Sequence, residues 1–297
     1  MEYKQLGSSS LVLSRLSFGC EPLGGTDWGE LNEQELARAV AIALERGINF
    51  FDTADVYGLG RSEEELAKLL GPKRHQVVIA TKGGMRWYTK AGKRAQIVKD
   101  SSPAYIQQAV EASLRRLQLD IIPLYQIHWP DPETAIEATV ETLFELQHQQ
   151  KIQHIGCSNF DVALLEKAQR VAPISSVQVP YNYINRAIEQ ELLPYCAENN
   201  ISVLVYSPLA RGLLTGKYNE KSSFPLTDRR HRLEEFQGEN FKTALSKVEE
   251  LRHLANDAQM SVSQIALQWL LNSPQVTSVI TGIKSSQQIL ENIAVCS

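Results

Sequence analysis

Short apolar, β-branched runs alternate along this chain with longer stretches whose apolar positions recur every three or four residues. The first pattern reads as buried strand and the second as amphipathic helix. Strands are predicted at residues 16–19, 49–52, 77–82, 124–128, 154–157, 176–179, 202–206 and 276–281. Helices are predicted at 34–46, 62–70, 103–118, 135–150, 163–170, 188–199, 243–259, 262–272 and 286–293. The helix at 34–46 carries its stripe on Leu36, Val40, Ala43 and Leu44 and stops at Gly47, as a C-terminal glycine allows. Ser62 is expected to cap the helix at 62–70 with Glu65 as its capping-box partner, and Ser102 to cap the helix at 103–118.

Eight short, nearly all-apolar strands in alternation with helices predict a parallel sheet covered by helices. Eight is the number that closes a barrel, so the expected fold class is α/β, a single-domain (β/α)8 TIM barrel over residues 1–297. A doubly wound open sheet is the alternative, and it usually carries G-x-G-x-x-G after its first strand. Gly58-Leu59-Gly60 lacks the third glycine, and residues 212–217 have neither the spacing nor the Ser/Thr of a P-loop.

Composition narrows the partners. With 43% apolar and 22% charged residues the chain has the balance of a soluble globular protein. A net charge of −4 with no basic block argues against nucleic acid or an anionic membrane as partner. The most apolar stretch, 201–210, is too short to span a bilayer, and no apolar segment follows a basic start at the N-terminus, so a cytoplasmic location is expected. Cys20, Cys157, Cys196 and Cys296 lie far apart and do not group with histidines, so free thiols and no metal are expected.

Candidate chemistry sits where each apolar run ends, because barrel active sites lie at the C-terminal ends of the strands. Strand two ends in Asp52, with Tyr57 five residues on; strand three ends in Lys82 and strand four in His128. Singly, each has an ordinary reading: a turn former, a packed aromatic, a surface lysine, a hydrogen-bonding histidine. Together, on three adjacent strand tops, they make a coherent site for carbonyl reduction. Tyr57 would donate a proton to the carbonyl oxygen, and Lys82, held by Asp52, would stabilise the phenolate and lower its pKa from about 10. His128 would orient or polarise the carbonyl oxygen.

The stretch NFFDTADVYGLGRSEEELAKLL at 49–70, followed in order by VVIATKGG, IHWPDP, GCSNF and VYSPLARGLLTGKY, resembles the aldo-keto reductase family. It is most similar to the bacterial branch that also resembles the potassium-channel β subunits. The resemblance covers nearly the whole chain and implies that Asp52, Tyr57, Lys82 and His128 form a catalytic tetrad. It further implies that Ser158, Asn159 and Gln178 hydrogen-bond the carboxamide of a nicotinamide cofactor while Tyr206 stacks on the ring. Backbone amides at Ser207, Leu209 and Gly212 suit a pyrophosphate, and the long segment 211–241 is expected to be a flap over the cofactor. The basic run Arg229, Arg230, His231 and Arg232 within it reads as solvated surface. Gly282, Lys284 and Ser285 precede a helix N-terminus, and the resemblance assigns them to an adenosine 2′-phosphate, with Gln288 and Asn292 nearer the adenine. Many relatives carry Arg where Gln288 stands, but Lys284 keeps NADPH (NADP+) expected ahead of NADH. Trp28, Trp87, Tyr88 and Trp129 are the aromatic candidates for a substrate mouth, and a small-molecule carbonyl is the expected substrate. The resemblance also implies a further helix near the site, whereas this sequence stops at Ser297. Two other readings are open: an NADP(H)-sensing module acting on a protein partner, and, more distantly, a Schiff-base aldolase using Lys82.

Overall fold

The computed structural model describes residues 1–25, 32–91, 93–225 and 228–296. Eight parallel strands close into a barrel: β3 (Leu16–Gly19), β4 (Phe50–Asp52), β5 (Val78–Gly83), β8 (Ile122–Ile127), β9 (Ile152–Ser158), β10 (Ser176–Pro180), β11 (Ser202–Tyr206) and β12 (Val276–Gly282). In this order each pairs with the next, and β12 returns to β3 through Val279 opposite Leu16. The predicted (β/α)8 barrel is therefore the fold, and each predicted strand overlaps its barrel strand within two residues.

Helices α1 (Glu33–Glu45), α2 (Arg61–Leu70), α3 (Pro103–Leu117), α4 (Ile136–His148), α5 (Val162–Gln169), α6 (Leu192–Glu198), α8 (Val262–Leu271) and α9 (Ser286–Ile293) surround the strands, and α7 (Gly238–Ala258) packs on α8. Residues such as Ile79, Tyr125, Ile127 and Val203 point outward into the apolar layer beneath these helices. Their neighbours along each strand point inward, because side chains alternate with period two. The two ladders of a strand thus serve different purposes: one binds the helices and the other fills the barrel.

Two antiparallel hairpins had no signature among the predicted strands, both being short and half exposed. The first, β1 (Tyr3–Gln5) with β2 (Val12–Ser14), precedes the barrel. Its Leu13 and the following-turn Leu6 are fully buried with Phe50, Val78, Ala80, Leu124, Leu204 and Ile280, so it plugs the N-terminal end of the barrel. The second, β6 (Met85–Tyr88) with β7 (Gln96–Lys99), stands on the loop after β5.

The expected role of Ser62 is corrected. Helix α2 begins at Arg61 with Gly60 as N-cap (φ 99°), and Ser62 is buried inside the first turn. Its hydroxyl donates to Cys20 O at 2.7 Å and pairs with Thr53 Oγ1 at 2.8 Å, while Glu65 faces Lys68 instead. The hydroxyl serves tertiary contacts, which the sequence pattern of a cap cannot distinguish. Ser102 does precede α3, but its hydroxyl donates to Asp100 Oδ1 rather than capping the helix.

Candidate active site

Period two sets the site. Above the apolar plug, the next inward positions are Asp52 above Phe50, Lys82 above Ala80, Gln126 above Leu124, Gln178 above Ser176 and Tyr206 above Leu204. Register places Lys82 opposite Gln126 and Gln178 opposite Ser158, so polar groups from separate strands meet in one layer at the C-terminal end.

Asp52 is the hub of that layer. Its Oδ2 accepts from Lys82 Nζ at 2.7 Å, and its Oδ1 accepts from Gln178 Nε2 at 2.7 Å and Gln126 Nε2 at 3.3 Å. Lys82 also donates to Thr53 O at 2.9 Å and is only 1% exposed. A buried ammonium and carboxylate are tolerable because each is paired and further hydrogen-bonded. The surface reading of Lys82 is thereby removed.

Tyr57 reaches this layer from the loop after β4. The loop turns through Gly58, Leu59 and Gly60, all at positive φ. A Cβ on Gly58 would lie 2.1 Å from Gly24 O, so the close approach of these two backbones requires glycine and holds the loop in place. The Tyr57 ring centroid is 5.2 Å from Lys82 Nζ and 5.7 Å from the His128 ring, the two rings being edge-on at 85°. Burial pushes the Tyr57 phenol well above its usual value of 10, reinforced by Glu21, Asp52, Tyr206 and Cys20. The expected net lowering is therefore corrected in sign: burial, with the Glu21 and Asp52 carboxylates opposing a phenolate, outweighs the Lys82 ammonium, which is already shared with Asp52 and Thr53 O.

His128 follows β8, anchored by its N–H to Gly83 O at 2.9 Å and by its carbonyl, which accepts from Asn159 Nδ2 at 3.0 Å. Burial first, and Lys82 second, hold its imidazole well below the usual value of 6.5, so the ring is neutral near pH 7. Its buried Nδ1 has no hydrogen-bond partner among the described residues.

The residues assigned to a nicotinamide converge on the same layer. Ser158 Oγ donates to Gln178 O at 3.0 Å, Asn159 Nδ2 donates to Ser158 Oγ at 3.1 Å, and Tyr206 OH donates to Asn159 Oδ1 at 2.7 Å. Asn159 holds a left-handed backbone (φ 62°), as do Ser207, Ala210, Arg211 and Gly212 beyond β11. Non-glycine residues in that region cost energy and persist where surroundings enforce them, commonly at ligand clamps. Gly282, ending β12, faces open space into which a side chain would project.

At the far end, burial and then Arg230 and Lys217 lower Lys284 from its usual value of 10.5, against the opposing Asp228 carboxylate. Lys217 Nζ and the Arg230 guanidinium both lie over the Tyr218 ring, at 5.0 and 5.6 Å. Arg230 is corrected from solvated surface. It donates to Asp228 Oδ1 at 2.9 Å and Tyr218 OH, and lies 4.8 Å over the Phe224 ring. Its hydrogen bonds hold the Asp228 carboxyl down at about 2. His231 and Arg232 are exposed, as that reading had them. This clustering has no signature in residue order, because Lys217 and Lys284 lie in loops after different strands. Ser285 caps α9 through Gln288 N at 3.3 Å, Gln288 Oε1 accepts from Lys284 N at 2.8 Å, and Asn292 is buried. A helix N-terminus beside cations, beyond the last two barrel strands, fits the phosphates of a dinucleotide.

The mouth aromatics are dispersed. Trp28 lies outside the described residues. Trp87 lines a cavity of about 710 Å³ beside α3 with Asp55, Arg86 and Tyr105, and Tyr88 is exposed on the hairpin. Trp129 is 38% exposed beneath Lys99 Nζ. Gln126 was not singled out in the sequence, although it lies two residues before His128 on the same strand face. Among the described residues no group of three or more His, Cys, Asp or Glu could hold a metal ion, and no helix is long and apolar enough to cross a membrane.

Comparison with known proteins matches this arrangement. The model of the aldo/keto reductase family matches residues 15–297. An aldo-keto reductase of Bacillus subtilis (strain 168), YhdN, is 39% identical over 97% of this chain and 87% of its own. An NADH-specific methylglyoxal reductase of Escherichia coli (strain K12) is 36% identical over 97% of this chain and 91% of its own. A probable voltage-gated potassium channel subunit beta of Arabidopsis thaliana is 34% identical over 99% of this chain and 90% of its own, in keeping with the branch that the sequence resembles. The solved glycerol dehydrogenase AKR11B4 of Gluconobacter oxydans superposes with a TM-score of 0.90 at 36% identity, covering 98% of this chain and 89% of that one. With a polar layer built on the strand tops of a closed barrel and a family match running through every one of those strands, the chain belongs to the aldo/keto reductase family.

Proposed function

We propose that the chain, acting as one barrel domain, reduces aldehyde or ketone carbonyls to alcohols with NADPH, using Tyr57 as the general acid. The observation that carries this reading is the buried Lys82–Asp52 pair set against the rings of Tyr57 and His128. When bound, the dihydronicotinamide supplies a hydride to the carbonyl carbon. Tyr57 gives its phenolic proton to the carbonyl oxygen as the alcohol forms, and recovers a proton from solvent. The raised pKa keeps the phenol protonated before reaction, which is the state that reduction consumes. Lys82 stabilises the negative charge that develops on the phenol oxygen, and Asp52 with Thr53 O holds Lys82 in place. Neutral His128 is available to hydrogen-bond and orient the substrate oxygen. Ser158, Asn159 and Gln178 present the nicotinamide face, and Tyr206 covers the other.

NADPH is favoured over NADH by Lys284, two residues before the first residue of α9, with Arg230 and Lys217 as the cations that act on it. The buried, carboxylate-bonded Lys82 amine is poorly placed as a Schiff-base nucleophile, which weighs against an aldolase. Tyr57→Phe tests the proton donor. Carbonyl-dependent NADPH oxidation should fall by about 10²–10⁴-fold with little change in cofactor affinity. Full activity in that variant would overturn the assignment.

A further inference from the structure

We propose that Glu35 is a specificity residue for the cofactor, its carboxylate weakening the binding of an adenosine 2′-phosphate at the N-terminus of α9 while accepting the free 2′-hydroxyl of NADH. The inference rests on the reading that a nicotinamide dinucleotide places its adenosine end beside Lys284 and α9.

Glu35 lies in the first turn of α1, and α9 follows β12, the barrel neighbour of the strand that precedes α1. The two helices therefore pack side by side. Glu35 Oε2 accepts from Ser286 Oγ at 2.7 Å and from Ser286 N at 3.2 Å, while Oε1 accepts from Arg38 Nη1 at 3.0 Å. Ser286 is the first residue of α9, and its N–H is one of those a helix leaves without an internal partner. Such N–H groups, with the positive end of the helix dipole, are what an anion would use. Two further donors here are also satisfied from within: Lys284 N by Gln288 Oε1 and Gln288 N by Ser285 Oγ. The chain thus supplies its own carboxylate where a phosphate would bind.

Two opposing influences meet at this end of the site. Lys284, Arg230 and Lys217 attract a 2′-phosphate, and Glu35 repels it and competes for the Ser286 donors. Arg230 is itself already bonded to Asp228. A ribose 2′-hydroxyl carries no charge and can donate to a carboxylate, the way many NAD sites read that hydroxyl. Glu35 accordingly narrows the preference for NADPH that the cations create. It touches neither the carbonyl nor Tyr57, so its removal should shift cofactor choice without removing the chemistry.

The test is equilibrium binding of NADP+ and NAD+ to the full chain, read by tryptophan fluorescence or calorimetry, for the unaltered protein, Glu35→Gln and Glu35→Ala. Both variants should tighten NADP+ by about three- to tenfold, the scale of one like-charge contact near a surface, and leave NAD+ unchanged or weaker. The ratio of kcat/KM with NADPH to that with NADH should rise by the same factor. Equal shifts for both dinucleotides, or no tightening of NADP+ in either variant, would overturn the role of Glu35. Failure of the unaltered chain to bind either dinucleotide would instead overturn the functional reading, and this inference with it.

Discussion

At the scale of single residues, the charged groups of this barrel differ mainly in whether a partner was built for them. Asp52 is fully paired, whereas Asp55, three residues on and 1% exposed, has neither carboxylate oxygen hydrogen-bonded among the described residues. Burial, and then the Glu63 carboxylate, push Asp55 well above its ordinary value of 3.8. The native chain therefore keeps a proton on Asp55 that the unfolded chain releases above about pH 4, so this group's contribution to stability is present below that pH and is lost as pH rises. Asp55→Asn replaces the protonated acid by a neutral isostere without that penalty. It should melt above the unaltered chain at pH 8 and close to it at pH 4; an equal gap at both pH values would show that Asp55 is ionised in the fold. His128 acts with the opposite sign. Its depressed pKa costs stability as pH falls below 6.5, where the unfolded histidine takes up a proton that the buried one refuses.

At the scale of elements, α2 and α3 are joined across the barrel wall by a buried ion pair rather than by apolar packing alone. Glu63, wholly buried on α2, accepts from Arg116 Nε on α3 at 2.6 Å and from Thr81 Oγ1 on β5 at 2.5 Å. Removing one partner of such a pair leaves an uncompensated charge in the interior. Arg116→Met should thus lower the unfolding free energy by about 3–5 kcal/mol in urea titration, while the double change Arg116→Met with Glu63→Gln should recover much of the loss. A loss within the error of the measurement for the single variant would mean that Glu63 protonates or reaches water. The boundaries of α9 and β11 are those read from the sequence, whereas α7 begins at Gly238, five residues before its predicted start, and α6 at Leu192, four residues after its own, because residues 187–189 form a separate turn. Element prediction failed for the hairpins β1–β2 and β6–β7, whose strands of three or four half-exposed residues carry too little alternation to read.

At the scale of the whole molecule, cofactor binding should tie the segment after β11 to the barrel rim, because the basic groups Lys217 and Arg230 lie on that segment and Lys284 on the loop after β12. A ligand at a hundred times its dissociation constant adds about 2.7 kcal/mol to stability, which for a chain of this size raises the melting temperature by on the order of 5 °C. NADPH should produce this shift. Lys284→Met should reduce the shift with NADPH and leave the shift with NADH unchanged; loss of both shifts alike would place Lys284 at a part shared by the two cofactors.

Sequence alone determined the barrel and the four residues proposed for the chemistry. Strand–helix alternation is a local property, repeated eight times, and period two along each strand decides which of its residues face inward. Asp52, Lys82 and His128 were legible because each is the polar residue at the end of an apolar run. Tertiary structure decided the rest, since ring closure sets side by side strands distant in the chain. It turned Gln126 and Gln178 toward Asp52, brought Arg230 and Lys217 to Lys284, and set Glu35 against the first turn of α9. It also reversed the direction expected for Tyr57: a neighbouring lysine suggests a lowered pKa, but burial and the Asp52 charge raise it. Electrostatic effects depend on distance and on the exclusion of water, and neither is written in residue order.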